Sequence, residues 1–215
     1  NYNVVVGDEA GTAITTGDNN VAVGYQSLDA NTTGSRLTAV GNEALSANTT
    51  AAFNVAVGDR ALLTNTGSSN NVAVGANALY TFNVGSGDGY NVAVGKNAGL
   101  SVTTGHTNTL IGGLAGDAIT TGSGNTFIGF ESGSYGTNLT TGTTNTLVGA
   151  YNNTTAVNSV NAMGLGYNLD CAGGYTTVGS GSAEIRAPHG SAAWATASDQ
   201  RYKKDIVDST AGLSF

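Results

Sequence analysis

The chain is poor in the residues that usually anchor a fold or carry chemistry. Its 215 residues include one Cys, one Pro, one Trp, one Met and two His, and only 10% are charged. The single cysteine, Cys171, excludes an internal disulfide and is expected to be a small buried residue. His106 and His189 have no partners at metal-ligand spacing, and the glycine-Asp calcium nonapeptide is absent. No metal and no other cofactor is therefore expected. Seven Lys and Arg face fourteen Asp and Glu, giving a net charge of −7. That balance argues against nucleic acid and against anionic membrane surfaces as partners. No apolar run approaches the length of a membrane span, so membrane insertion is not expected. Residue 1 falls inside a repeat; no leader is visible, and the repeats are expected to begin upstream.

What is abundant is glycine, 33 residues of it, and it is periodic. The phrase Asn-Val-Ala-Val-Gly, or a near copy, ends at Gly7, Gly24, Gly41, Gly58, Gly75, Gly95, Gly112, Gly129, Gly149, Gly166 and Gly179. The gaps are 17 residues except for two of 20 and a last one of 13. A unit this short cannot bury a hydrophobic face alone and must stack on its neighbours. Stacked copies also account for the low charge. Identical charges one strand apart repel, whereas Asn and Thr hydrogen-bond along a row of copies.

Every residue just before the repeat glycine is aliphatic, and ten of the eleven standing three before it are β-branched. These two positions share one side of a strand. The residue between them points the other way. It is small in Ala22, Ala39, Ala56, Ala73 and Ala93, and large in Leu110, Phe127 and Leu147. A strand apolar on both sides is expected to be covered on both, one face by the coil itself and the other by a further chain. A second block follows the glycine: Ala44-Leu45, Ala61-Leu62, Ala78-Leu79, with glycine for leucine in Ala98-Gly99 and Ala115-Gly116. It predicts a short second strand. Turns such as Asn31-Thr32-Thr33-Gly34 and Thr120-Thr121-Gly122 close the unit, their glycines read as suppliers of positive φ.

Eight units place Asn four residues before the glycine, from Asn3 and Asn20 to Asn145, which predicts a ladder of amides satisfying backbone groups at each corner. The expected fold class is all-β, a parallel β-roll or β-solenoid with 17-residue coils. Eleven coils about 4.8 Å apart make a rod on the order of 50 Å long. Residues 1–181 form this shaft, 182–197 a cap or connector, and 198–215 something else. Trp194, in the connector, is expected at a contact between chains.

The two long units carry insertions, one within Tyr80 to Tyr90 and one within Ser134 to Thr144. Insertions in a solenoid bulge outward, often on the binding face. Tyr80, Phe82, Tyr90 and Tyr135 sit in or beside them and are the candidate receptor contacts, suited to stacking on sugar rings. The competing reading packs them over the loops or against a neighbouring chain. Catalysis on polysaccharide needs two carboxylates about 5–10 Å apart. The acids are thinly spread. Glu43 and Glu131 occupy the same position of the repeat but stand several coils apart.

Two resemblances give these features a context. Units of the form Asn-x-Ala-Val-Gly-x-x-Ala-Leu resemble the head of YadA-type trimeric adhesins, and with Asn-Thr-Thr-Gly they resemble repeats common in phage fibres and bacterial surface proteins. This covers residues 1 to about 181, the Leu37 unit and the last two coils departing from it. It implies a left-handed β-roll with three chains side by side. Ser198-Asp199-Gln200-Arg201-Tyr202-Lys203-Lys204-Asp205-Ile206 resembles the start of the endosialidase-type C-terminal intramolecular chaperone domain. In that family the domain trimerises, aids folding of a β-structured fibre and cuts itself off before the serine. The resemblance assigns Ser198 and Lys203 to that cleavage, at the Ala197–Ser198 bond, as a single turnover in the full-length precursor only. Otherwise no enzymatic activity is expected. The combination favours a structural tail-fibre segment, a homotrimer outside the cell on a virion tail. Its partners would be other fibre or tail proteins and a host-surface glycan or protein receptor. A trimeric adhesin on a bacterial cell surface is the alternative, and a polysaccharide-degrading tailspike the third reading.

Overall fold

The computed structural model describes residues 2–191 together with the backbone of 195 and 196. Among these the structure is all-β, a parallel β-solenoid. Eleven strands stack in sequence order, from Val4–Val6 to Tyr175–Ser180. Pairing is in register at each step, as in Val21↔Thr38, Ala22↔Ala39 and Val23↔Val40. The register survives the 20-residue gaps, where Val74 meets Val94 and Ile128 meets Val148. The coils are numbered 1 to 11 here by their repeat glycines, Gly7 to Gly179.

Which side of the strand faces inward is now plain. The central residues Ala22, Ala39, Ala56, Ala73, Ala93, Leu110, Phe127 and Leu147 are fully buried in the coil. The β-branched rows on either side, such as Val72 and Val74, face out and are half-buried.

The second block is not the short strand that its pattern predicts. Leu28, Leu45, Leu62 and Leu79 are buried, but with φ between 51° and 52°. The residue two earlier is left-handed as well, as in Glu43 at 53° and Arg60 at 56°. Left-handed residues at alternate positions break an extended run. The arc is held instead by hydrogen bonds that go alternately to the coil below and the coil above. The Gln26 N–H donates to the Asp8 carbonyl at 3.1 Å, and the Leu28 N–H to the Ala44 carbonyl at 3.2 Å. A second strand pair appears at Ser68–Ser69 with Gly87–Asp88 and at Asn153–Thr154 with Asp170–Cys171.

The interior is filled by an exchange of volume between three slots. In coils 2 to 4 a small strand centre accompanies Leu in the arc and Asn at the next corner: Ala22, Leu28 and Asn31, then Ala39, Leu45 and Asn48, then Ala56, Leu62 and Asn65. In coil 7 the set is Leu110, Gly116 and Ile119, and in coil 8 it is Phe127, Gly133 and Leu139. A Cβ added to Gly116 would lie 2.8 Å from both Leu110 Cδ2 and Ile119 Cδ1. Glycine is needed there because the neighbours have taken the space. Coil 6 combines Ala93 with Gly99, and leucines above and below fill the gap. A Cβ on Gly99 would meet Leu110 Cδ1 at 2.8 Å and Leu79 Cδ2 at 3.0 Å.

The repeat glycine is required by close approach as well as by conformation. Gly58 has φ 137°, and a Cβ on it would lie 2.6 Å from the Gly75 carbonyl oxygen. The turn glycines have a different cause from the one their sequence suggests. Gly34, Gly67, Gly105, Gly122 and Gly142 do not have positive φ. They are glycine because the next coil's carbonyl presses on them; a Cβ on Gly122 would sit 2.4 Å from the Gly142 oxygen. The left-handed residue of that corner comes two or three positions later, at Arg36, Asn70, Thr107, Gly124 and Thr144.

The Asn ladder forms as expected. Asn91, Asn108, Asn125 and Asn145 are fully buried. Each side-chain oxygen accepts the backbone N–H at the same position one coil on, at 3.0, 3.0, 3.1 and 2.8 Å, ending on Ala162. The side-chain NH₂ groups donate to corner carbonyls, as from Asn108 to Gly122 at 3.0 Å. These contacts replace the water that buried amides lose. Leu37 interrupts the row and is itself buried; in the same coil the Asn48 Oδ1 is buried with no partner.

Cys171 is buried as expected, and burial pushes its thiol up to about 12, so it is not a thiolate at neutral pH. The parallel stack ends in a reversal. Ala183–Pro188 pairs antiparallel with Tyr175–Ser180, and Ala195–Thr196 antiparallel with it in turn. Trp194, Ser198, Lys203 and the whole 198–215 segment lie outside the described residues.

Candidate functional site: an aromatic cleft beside the second loop

The residues one and two places after each repeat glycine form one edge of the rod. In the first coils this edge is polar and cross-linked. Gln26 Nε2 donates to Glu9 Oε2 at 2.6 Å, Asn42 Nδ2 to Asp59 Oδ1 at 2.9 Å, and Arg60 Nε to Glu43 Oε2 at 2.7 Å. The Glu9 charge is the main reason the exposed Tyr25 phenol is pushed up. Glu43 is thus committed to an ion pair. Glu131 is five coils further along, on the order of 24 Å at the strand spacing, too far for a carboxylate pair.

From coil 8 the same edge becomes aromatic. Phe130 lies over Gly113, which has no side chain to obstruct it; a Cβ there would be 3.3 Å from the ring. Tyr151, in coil 9, occupies the left-handed slot two after Gly149, at φ 58°. Tyr167 follows in coil 10. The second loop, residues 135–138, brings Tyr135 to the same place. Tyr151 is the centre of the group. Its ring lies 5.5 Å from Phe130, 5.0 Å from Tyr135 and 5.6 Å from Tyr167, at interplanar angles of 77°, 68° and 84°. These are edge-to-face contacts, in which a ring edge meets the electron-rich face of its neighbour. Tyr135, Tyr151, Tyr167 and Asn168 line an open cleft of about 330 Å³. Phe130, Tyr135 and Tyr167 are each about half exposed.

Of the four aromatics suggested by the insertions, only Tyr135 joins this cleft. Phe82 is fully buried and is removed as a surface contact. It precedes the first loop and fills the core slot that Val102 and Ile119 fill in coils 6 and 7. Tyr80 is half-buried in coil 5, three coils from Tyr135. Tyr90 is exposed, but stands before the strand of coil 6 rather than after it, and its hydroxyl donates to Asp88 Oδ2 at 2.9 Å. That bond is the main reason its phenol is pushed up. The first loop, residues 85–88, is exposed beside it. The two loops therefore do not build one site. Phe130, Tyr151 and Tyr167 escaped the sequence reading because they lie outside the insertions. Their signal was there: aromatic residues one or two places after three successive repeat glycines.

Among the described residues, no group of three or more His, Cys, Asp or Glu is placed to hold a metal ion. No protein-family model, curated protein or solved structure matches the chain.

Proposed function

We propose that this chain is a segment of a trimeric host-attachment fibre, a stiff shaft that stands outside the cell on a phage tail and presents a surface to a receptor. The observation that carries this reading is the outward face of the parallel sheet. Two rows of Val, Thr, Ile and Leu run the length of the rod beside each other, half-buried in the single chain, with Ile111 and Ile128 37% exposed and Leu165 54%. A regular apolar strip of this length favours cover by another protein surface. Side-by-side copies of the same rod supply one with matching period, and a three-fold arrangement closes without leaving an open face.

The resemblance of the repeats to left-handed trimeric β-rolls supports this assembly. That of 198–206 to the start of a self-cleaving chaperone supports a fibre over a bacterial adhesin. In such a fibre the shaft itself is not an enzyme; its partners are its own copies, neighbouring tail proteins and the host receptor.

The test is adsorption. Fluorescently labelled protein added to a panel of bacterial strains should decorate a defined subset and compete with adsorption of a phage carrying the same fibre. Absence of binding to every strain that the phage adsorbs to would sink the proposal.

A further inference from the structure

The aromatic cleft of coils 8 to 10 has a chemistry that narrows what it holds. We propose that it binds a neutral oligosaccharide, one ring of which stacks on Tyr167 and Tyr135. This rests on the host-attachment reading and adds to it the class of ligand and the place.

Three observations converge. First, the cleft offers ring surface and polar groups together. Tyr135, Tyr151, Tyr167 and Asn168 line it, and among the described residues none of their side-chain polar groups has a hydrogen-bond partner, unlike the Tyr90 hydroxyl, which is taken by Asp88. Apolar faces flanked by unsatisfied donors and acceptors match a pyranose, which has C–H faces and a rim of hydroxyls. A purely apolar partner would leave those groups without partners.

Second, charge excludes anionic sugars. No Lys or Arg lines the cleft. In the column that carries Phe130 and Tyr167, the cation Lys96 lies two coils below Phe130, while Glu131 stands one coil below Tyr151 in its own column. Among the described residues, a carboxylate or sulfate on the ligand would find no cation in the lining of the cleft to pair it.

Third, the central ring is placed against backbone preference. The slot of Tyr151 holds Asn at 77, 97 and 168, a residue that tolerates left-handed φ, whereas a bulky ring there is disfavoured. Its three edge-to-face contacts hold the tyrosine in that conformation and fix the orientation of the rings around it. A preformed stacking surface loses little freedom on binding.

The experiment uses the chain as it stands, on a printed array of neutral oligosaccharides beside sialylated and uronic-acid-containing ones, with strain adsorption measured in parallel. Saturable binding to a neutral structure is expected. Tyr167→Ala should weaken it by at least about tenfold, and Tyr167→Phe by no more than about threefold, since the ring remains. Tyr135→Ala, in the loop, should act in the same direction without touching the coil stack. Thermal unfolding of each variant checks that the rod is intact. Array binding unchanged in both alanine variants overturns the proposal, as does binding confined to acidic glycans. Cells decorated while no neutral glycan is bound also overturns it, and leaves the attachment role standing. Loss of cell adsorption as well removes both.

Discussion

Coils 2 to 4 and coils 7 and 8 wind the same backbone around interiors filled in opposite ways. The first group packs Ala at the strand centre against Leu in the arc and Asn at the corner. The second packs Leu or Phe against Gly and an aliphatic residue. The edge outside changes in step, from hydrogen-bonded and ion-paired side chains to a cluster of rings. The backbone register is common to both, so it is set by what the two groups share: the repeat glycine, the inter-coil hydrogen bonds and, outside coil 3, the Asn ladder. Side-chain volume is free to vary provided that the three slots change together.

The shared backbone is where the comparison should break most severely. Gly58→Ala, in the first group, drives a methyl into the next coil's carbonyl at a left-handed-side φ, and Gly112→Ala does the same in the second. Each is expected to cost at least about 3 kcal/mol, read as a fall in the denaturation midpoint. Similar losses at the two sites support a common cause.

Exchanging the filling should sharpen the contrast. Leu110→Ala alone leaves a cavity and should cost about 2–5 kcal/mol. Gly116→Leu alone overfills coil 7, for about 1–3 kcal/mol or more. The double variant gives a small strand centre, a leucine arc and an apolar third slot, as coil 5 has in Ala73, Leu79 and Phe82, and its cost should fall short of the sum by about 0.5–3 kcal/mol. Strict additivity in urea melts would show that these two slots are independent.

Asn108→Ala removes an acceptor from the Asn125 N–H and leaves a buried group unpaired. About 1–3 kcal/mol should be lost. At Leu37, where the ladder is already interrupted, substitution by Asn should be far less costly than any Asn→Leu change elsewhere in the row.

The smallest expected effect is electrostatic. Burial raises the Asp29 carboxyl, and one of its oxygens is buried without a partner. A carboxyl raised in the folded state binds its proton more tightly there than in the unfolded chain. Stability from this group therefore rises as pH falls through the raised value and is lost as pH increases. Asp29→Asn should raise the melting temperature slightly at neutral pH and remove that component of the pH profile.

The period, the in-register strand and the Asn ladder were legible in the residues, because each recurs along the stack; the antiparallel reversal at its end occurs once and was not. What was not legible depends on neighbours rather than on period. The strand is apolar on both faces, so Val72 and Ala73 do not by themselves say which one points inward. The leucine-to-glycine change at Gly99 and Gly116 has no visible reason in the sequence until Leu110 is seen occupying the space. Turn glycines such as Gly122 look like positive-φ residues, yet the approach of the Gly142 carbonyl is their cause. The arc resembles a strand in composition and is prevented from being one by left-handed Glu43 and Leu45. Tyr151 and Tyr167 meet only because coils stack, and Phe82 looks like a loop residue until its slot is aligned with Val102.

Both groups of coils turn the same β-branched rows outward, and the proposal that two further copies cover those rows is tested most directly by the mass of the protein in solution. Sedimentation equilibrium over a wide concentration range should give three times the 21.3 kDa of the chain. Val72→Lys with Val92→Lys, which places charges on the outer face, should shift the distribution toward smaller species. A folded monomer at every concentration would contradict the account.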